Sequence, residues 1–198
     1  MDAQLGRWLR RLRGTATFIA VASLCLAVAV LVIAVIPGSP VALGLPTDML
    51  TGWDTIRGIA PGVVVDPTGE VVFSVTDPSL AQRLLSAATS VPGLLLMAWI
   101  ARRMATVLRA AQDSDPFTRW TVRELDRTAK ITAFGGVAVW AITVVAEWTL
   151  STTMLTSGAA LTTHGSLAGW LAVALIFAAF GQLIARGVAM RAELDTLV

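Results

Sequence analysis

Four long apolar runs constrain this chain more than anything else in it: residues 15–36, 84–100, 131–150 and 167–184. Each has roughly the 20 residues with which a helix crosses about 30 Å of hydrocarbon. In lipid every backbone N–H and C=O must find its partner within the protein, which only helices and closed barrels achieve, and continuous apolar runs of this length read as helices. The expected fold class is therefore an all-α integral membrane protein with four transmembrane helices, a single membrane domain over residues 1–198. Composition agrees. The chain is 56% apolar and 14% charged, with a mean hydropathy of +0.74, whereas soluble domains carry about 25% charged residues. Four spans and one sizeable loop use up the sequence, leaving no room for a second soluble domain.

The basic residues sort the two ends of the spans. Arg7, Arg10, Arg11 and Arg13 precede the first run. Arg102, Arg103, Arg109, Arg119, Arg123, Arg127 and Lys130 lie between the second and third, and Arg186 and Arg191 follow the fourth. The segment 37–83 has only Arg57 and Arg83 against Asp48, Asp54, Asp66, Glu70 and Asp77. The positive-inside bias thus puts both termini and residues 101–130 in the cytoplasm, and residues 37–83 outside it. Trp99, Trp148 and Trp170 fall near the ends of their runs, the depth that amphipathic indoles favour. The arginines before the first run invite a signal-peptide reading, but a signal core has ~7–15 apolar residues and this run has about 22, so an uncleaved first span is expected.

The loop 37–83 opens with Pro37, Gly38, Pro40, Gly44 and Pro46, which break helix and suggest extended chain. Residues 62–75 then place two β-branched runs either side of Asp66, Pro67, Thr68 and Gly69. Proline and glycine at those turn positions suit a type I turn, so a small β-hairpin is expected over 62–75. A lone hairpin is marginal in water and should lean on the helix ends. Asp77 followed by Pro78 reads as an N-cap and first helical residue, and Asp115 with Pro116 repeats the signature. Between them Met104, Val107, Leu108 and Ala111 recur at helical spacing with Arg102, Arg103 and Arg109 on other faces. After the second cap come Phe117, Trp120, Val122 and Leu125. Residues 101–130 are therefore expected to form a cytoplasmic helical hairpin that continues the second and third spans. Pro92 and Gly93 interrupt the second run, where a kink is tolerated in membrane helices.

Chemistry is sparsely written. Cys25 is the only cysteine, which excludes an intrachain disulfide and a cysteine-cluster metal site, and a small apolar filler of the first span is its plain reading. His164 is the only histidine, without ligand spacing around it, so neither a metal nor a cofactor is expected. No nucleophile–base pair and no phosphate-binding glycine loop is recognisable. Two readings attach to Glu147, the one formal charge well within an apolar run. It handles an ion or proton in the membrane, or it reaches water at the interface beside Trp148. The second weighs more, because the position is within about a turn of the span's end. Gln182 suits an interhelical hydrogen bond. Gly165 and Gly169 begin a small-residue face that Gly181, Ala185 and Ala189 continue, a pattern that lets helices approach closely, in one chain or between copies. A net charge of +2 does not support a nucleic-acid surface, and the arginines are more simply explained by anionic lipid of the inner leaflet.

Two cytoplasmic stretches carry a resemblance. One is Asp115, Pro116 and Phe117 with Leu125 and Arg127 after them. The other is Phe180, Arg186, Gly187, Met190 and Glu193 with the ending Asp195, Thr196, Leu197 and Val198. With four spans and a long first outer loop, they resemble a bacterial family of four-span inner-membrane proteins known only as a domain of unknown function. Trp120 and Thr121 stand where that family commonly has an asparagine, and its tail order differs from the one here. The resemblance implies a multi-pass protein of the bacterial cytoplasmic membrane. Members are often encoded beside small helix-turn-helix regulators of the Cro class, which implies a soluble regulator as partner. The expectation is a non-enzymatic membrane module that docks such a cytoplasmic protein through Phe117, Arg119, Arg123, Arg127, Glu193 and Asp195. The alternative is a small transporter or channel component, oligomeric, using Glu147 with Gln182 or the Pro92 kink.

Overall fold

The computed structural model describes residues 3–46, 70–75, 77–113, 118–154 and 166–195. The elements run α1 (Ala3–Val35), β1 (Val41–Pro46), β2 (Glu70–Val75), α2 (Leu80–Asp113), α3 (Arg119–Met154) and α4 (Ser166–Asp195). Each of these four helices is long and apolar enough to span a membrane. At 1.5 Å per residue, the 34 residues of α2 and the 36 of α3 extend about 50 Å, against a hydrocarbon thickness of about 30 Å. Both helices therefore continue as helix past the apolar runs, as their sequence periodicity indicates. The first helix begins earlier than its apolar run: Arg7, Arg10, Arg11 and Arg13 all lie on α1.

The distribution of exposed side chains suits lipid as the solvent. Only 11% of the most apolar stretch of α1, and of α4, is buried, against 22% in α2 and in α3. Phe18 is 72% exposed, Phe134 76% and Leu175 71%. In water such surface would drive association, whereas lipid tails are as apolar as the side chains themselves. Cys25 is exposed too, so it fills no gap in a core.

Contacts divide the chain into two units. The first comprises Met1–Val28, Pro92–Trp140 and Gly165–Val198. In it α2 and α3 run antiparallel, with Leu96 against Gly135 and the Arg103–Glu124 ion pair at 3.3 Å further along. Arg103 also stacks over Trp99, 5.3 Å from the ring centroid, so this guanidinium is half-buried rather than on an outer face. α3 and α4 are likewise antiparallel, with Gly136 against Trp170 and Leu125 beside Gly181. The buried seam of α3 is made of Thr121, Leu125, Thr128, Ala129 and Thr132, a helical stripe of small and β-branched residues. The Thr128 and Thr132 hydroxyls donate to the carbonyls of Glu124 and Thr128 at 2.7 and 2.8 Å, so burial leaves neither unsatisfied.

α3 and α4 approach closely at Gly136. A Cβ there would sit 2.4 Å from the Trp170 Cβ, so only glycine permits this crossing. Among the described residues, a Cβ added at Gly169 would meet nothing within 4 Å, and Gly165 lies outside the described residues. Gly181, by contrast, meets Leu125 at ordinary contact distance.

The second unit comprises Ala29–Val91 and Ala141–His164. Its antiparallel sheet contains the second strand of the expected hairpin. Glu70–Val75 is a strand, but its described partner is Val41–Pro46, in the register Val41 to Val75 through Pro46 to Glu70. The segment read only as broken, extended chain is therefore β1, while residues 62–69 lie outside the described ones. Alternation gives the sheet one inner face. Val41 and Leu43 are buried, with Phe73 half-buried opposite, while Ala42, Val72 and Ser74 point outward. That face packs with Leu85 of α2 and with Leu150 and Met154 of α3, so the sheet does rest on helix ends.

Capping fixes the element boundaries. Gly38, at φ +79°, takes the left-handed conformation that follows a helix, and the Ser39 hydroxyl donates to the carbonyls of Ile33 and Ile36. Arg83 of α2 also donates to the last carbonyls of α1, at Val35 and Ile36. The expected cap at Asp77 is corrected to Ser79. The Ser79 hydroxyl accepts from Gln82 N–H and Gln82 Oε1 accepts from Ser79 N–H, a reciprocal capping box that starts α2 at Leu80. Likewise α3 starts at Arg119, with Thr118 Oγ1 accepting from Thr121 N–H at 3.2 Å. Asp115, Pro116 and Phe117 lie outside the described residues. In both places a hydroxyl residue one or two positions beyond the Asp-Pro pair takes the cap, because its side chain reaches the orphan donors of the helix that forms.

Candidate functional site

The Thr118 cap fixes where α3 begins, and so places Arg119 and Arg123 four residues apart on one helix face. Both are exposed, and the Arg123 Nε donates to the Arg119 carbonyl at 3.3 Å. Opposite them, the antiparallel α4 presents Ala185, Val188 and Ala189. These side chains are short, so the two helices leave a shallow groove of about 590 Å³ floored by Val122. One wall is cationic and the other apolar. Like charges four residues apart on a helix oppose each other by about 0.2–0.5 kcal/mol, and an anion seated between them removes that cost. Lys130 is already engaged, 2.6 Å from Asp126.

Of the residues marked out in the sequence, the structure thus brings Arg119 and Arg123 together. Arg127 is exposed one turn further along α3 and does not line the groove. Glu193 is exposed on the last turns of α4, and Asp195 is the last residue of that helix. Phe117 lies outside the described residues. Glu147 is half-buried on α3 in the second unit, and Gln182 is exposed on α4 in the first. His164 lies outside the described residues. Among the described residues, no group of three or more His, Cys, Asp or Glu side chains is placed to hold a metal ion.

The sequence reading missed the apolar wall as a partner of the arginines. Its signal was the small-residue spacing of Ala185 and Ala189, read there as a helix-packing face. It also missed the Gly136–Trp170 crossing that sets how α3 and α4 meet. The adjacent glycines at 135 and 136, in the middle of an apolar run, were the available sign.

Residues 72–198 match a family described as protein of unknown function (DUF2975). No curated protein and no solved structure matches the chain. The match begins within β2 and takes in α2, α3 and α4. It covers well over half of the chain, and the protein, with four helices long and apolar enough to span a membrane, is therefore a member of the DUF2975 family, whose function is unknown.

Proposed function

We propose that this protein is a non-enzymatic module of the bacterial cytoplasmic membrane that docks an acidic segment of a cytoplasmic protein in the groove between the start of α3 and the end of α4. The observation that carries the reading is the pairing of two exposed guanidiniums, Arg119 and Arg123, with an apolar wall of Ala185, Val188 and Ala189. An amphipathic acidic helix has complementary faces for both walls. The arginine-rich bias places this end of the helices in the cytoplasm. The resemblance described above suggests a small helix-turn-helix regulator as the occupant. Arg127 and Glu193, both exposed, would lie at the rim of such a complex.

The test is a charge swap read by cross-linking in cells. A photoreactive residue in place of Val188 is expected to trap a cytoplasmic protein. Because both arginines are exposed, Arg119→Glu with Arg123→Glu should leave insertion intact and abolish the cross-link. Acid-to-arginine changes in the trapped segment should restore it. Undiminished cross-linking by the double variant would overturn the reading.

A further inference from the structure

A second groove, independent of the first, runs between α1 and α2. One face of α1, from Arg13 through Thr17 and Val21 to Leu24, lies against one face of α2, from Leu95 through Trp99 and Arg102 to Arg109. The cavity is about 540 Å³. Its two ends differ. Leu24, Val21, Ala20, Leu95 and Ala98 make one end wholly apolar, Arg13 and Arg109 stand at the other, and Arg102 lies between the two on the α2 face. From Arg13 to Leu24 the helix advances about 16 Å, the depth of one leaflet of a hydrocarbon core about 30 Å thick.

The cationic end has unused hydrogen-bonding capacity. No acidic side chain lines the groove. Arg13 Nη1 donates to Gln112 Oε1 at 3.4 Å, and the Gln112 Nε2 is buried with no partner among the described residues. Arg109 approaches only Asp113, at 3.9 Å, with both side chains well exposed. Exposed pairs of that kind are weak. The hydroxyls of Thr17 and Thr106, by contrast, are committed to their own helices, donating to the carbonyls of Arg13 and Arg102. What remains is a set of guanidiniums, which bind phosphate oxygens in forked pairs, along the cationic half of a slot whose other half is apolar.

We propose that this groove holds one anionic glycerophospholipid, its phosphodiester at the Arg13 and Arg109 end with Arg102 lining the groove beside it, and one acyl chain along Val21, Leu24, Leu95 and Trp99. The charge disfavours a zwitterionic lipid, because a choline or ethanolamine ammonium would meet three cations against the single exposed carboxylate of Asp113. The apolar slot distinguishes a lipid from a soluble phosphate, which would leave it unfilled. A phospholipid held this way seals the outward-facing seam between α1 and α2 and satisfies the arginines together.

The experiment uses the full chain in mild detergent with phosphatidylglycerol carrying a photoreactive group midway along one acyl chain. Irradiation is expected to label peptides containing residues 20–24 and 95–99. Phosphatidylcholine with the same acyl chain should label them far less, and excess glycerol phosphate should not compete. Arg102 and Arg109 are exposed, so Arg102→Gln with Arg109→Gln should keep the fold. That variant should weaken labelling roughly ten- to thirty-fold, as expected for the loss of two basic side chains near an anionic headgroup. A second variant, Ala98→Trp, fills the slot, leaves the arginines in place and should also abolish labelling. Equal labelling by the two lipids would overturn the proposal. So would full competition by glycerol phosphate, or labelling unchanged in both variants.

Discussion

One methyl group added at Gly136 would collide with Trp170, its carbon 2.4 Å from the tryptophan Cβ. Neither atom is the end of a flexible side chain, so relief requires the helix backbones to part. Gly136→Ala is expected to destabilise the protein by about 1–3 kcal/mol, the usual range for overpacking, measured by denaturant titration in mixed micelles. Trp170→Ala in the same background should recover part of that loss, and strictly additive effects of the two changes would refute the contact. Position 136 was hard to read from sequence because a glycine in a membrane span has two common meanings, a tolerated gap or a close crossing. Gly169, in the more conspicuous motif, is of the first kind within this chain and Gly136 of the second. What marks Gly136 is the large side chain of Trp170 that faces it, and that depends on the register of a different helix. Similarly, the arginines were legible as a topology signal, but the groove that two of them share with Ala185 and Val188 depends on the α3–α4 register.

At the scale of elements, the helices were legible because 18 or more apolar residues in succession have few alternatives in lipid. Their ends were less so. The Asp-Pro pairs announced both helix starts, yet Ser79 and Thr118 took the caps. A cap is chosen by which side chain reaches the orphan N–H groups, a matter of a few ångströms that composition does not encode. Ser79→Ala is expected to cost about 1 kcal/mol, read as a shift in the unfolding midpoint, while Asp77→Ala should leave the midpoint nearly unchanged. The reverse order would return the cap to Asp77. The sheet was half legible. The alternation in Glu70–Val75 marked a strand, but its pairing with Val41–Pro46 joins segments far apart in sequence, which local alternation does not encode. The partner, Val41–Pro46, has a glycine and a proline in its last three residues. Both weaken strand propensity.

For the whole molecule, the decisive quantity is which end of the spans faces the cytoplasm, a question of charge rather than packing. The arginine bias predicts it. With Cys25 replaced by serine, a cysteine at position 72 should react with an impermeant maleimide in intact cells, and one at position 127 should react only after permeabilisation. Both parent side chains are exposed, so failure to label would reflect sidedness and not burial. Labelling at 127 in intact cells would invert the topology and move the α3–α4 groove to the opposite side of the membrane from any cytoplasmic partner.

The family match starts at residue 72, which makes the preceding third of the chain look like a detachable preface. The guanidinium of Arg83 argues otherwise. It is tied to the terminal carbonyls at Val35 and Ile36, and its Nε is already withdrawn from water with no partner among the described residues. A truncation that began at the match would strand this cation beside nothing, and would strip Glu70–Val75 of the neighbour that completes its ladder. The smallest piece of this protein that can be handled as a folded object therefore includes its first helix, and experiments on a shorter fragment would report on a damaged one.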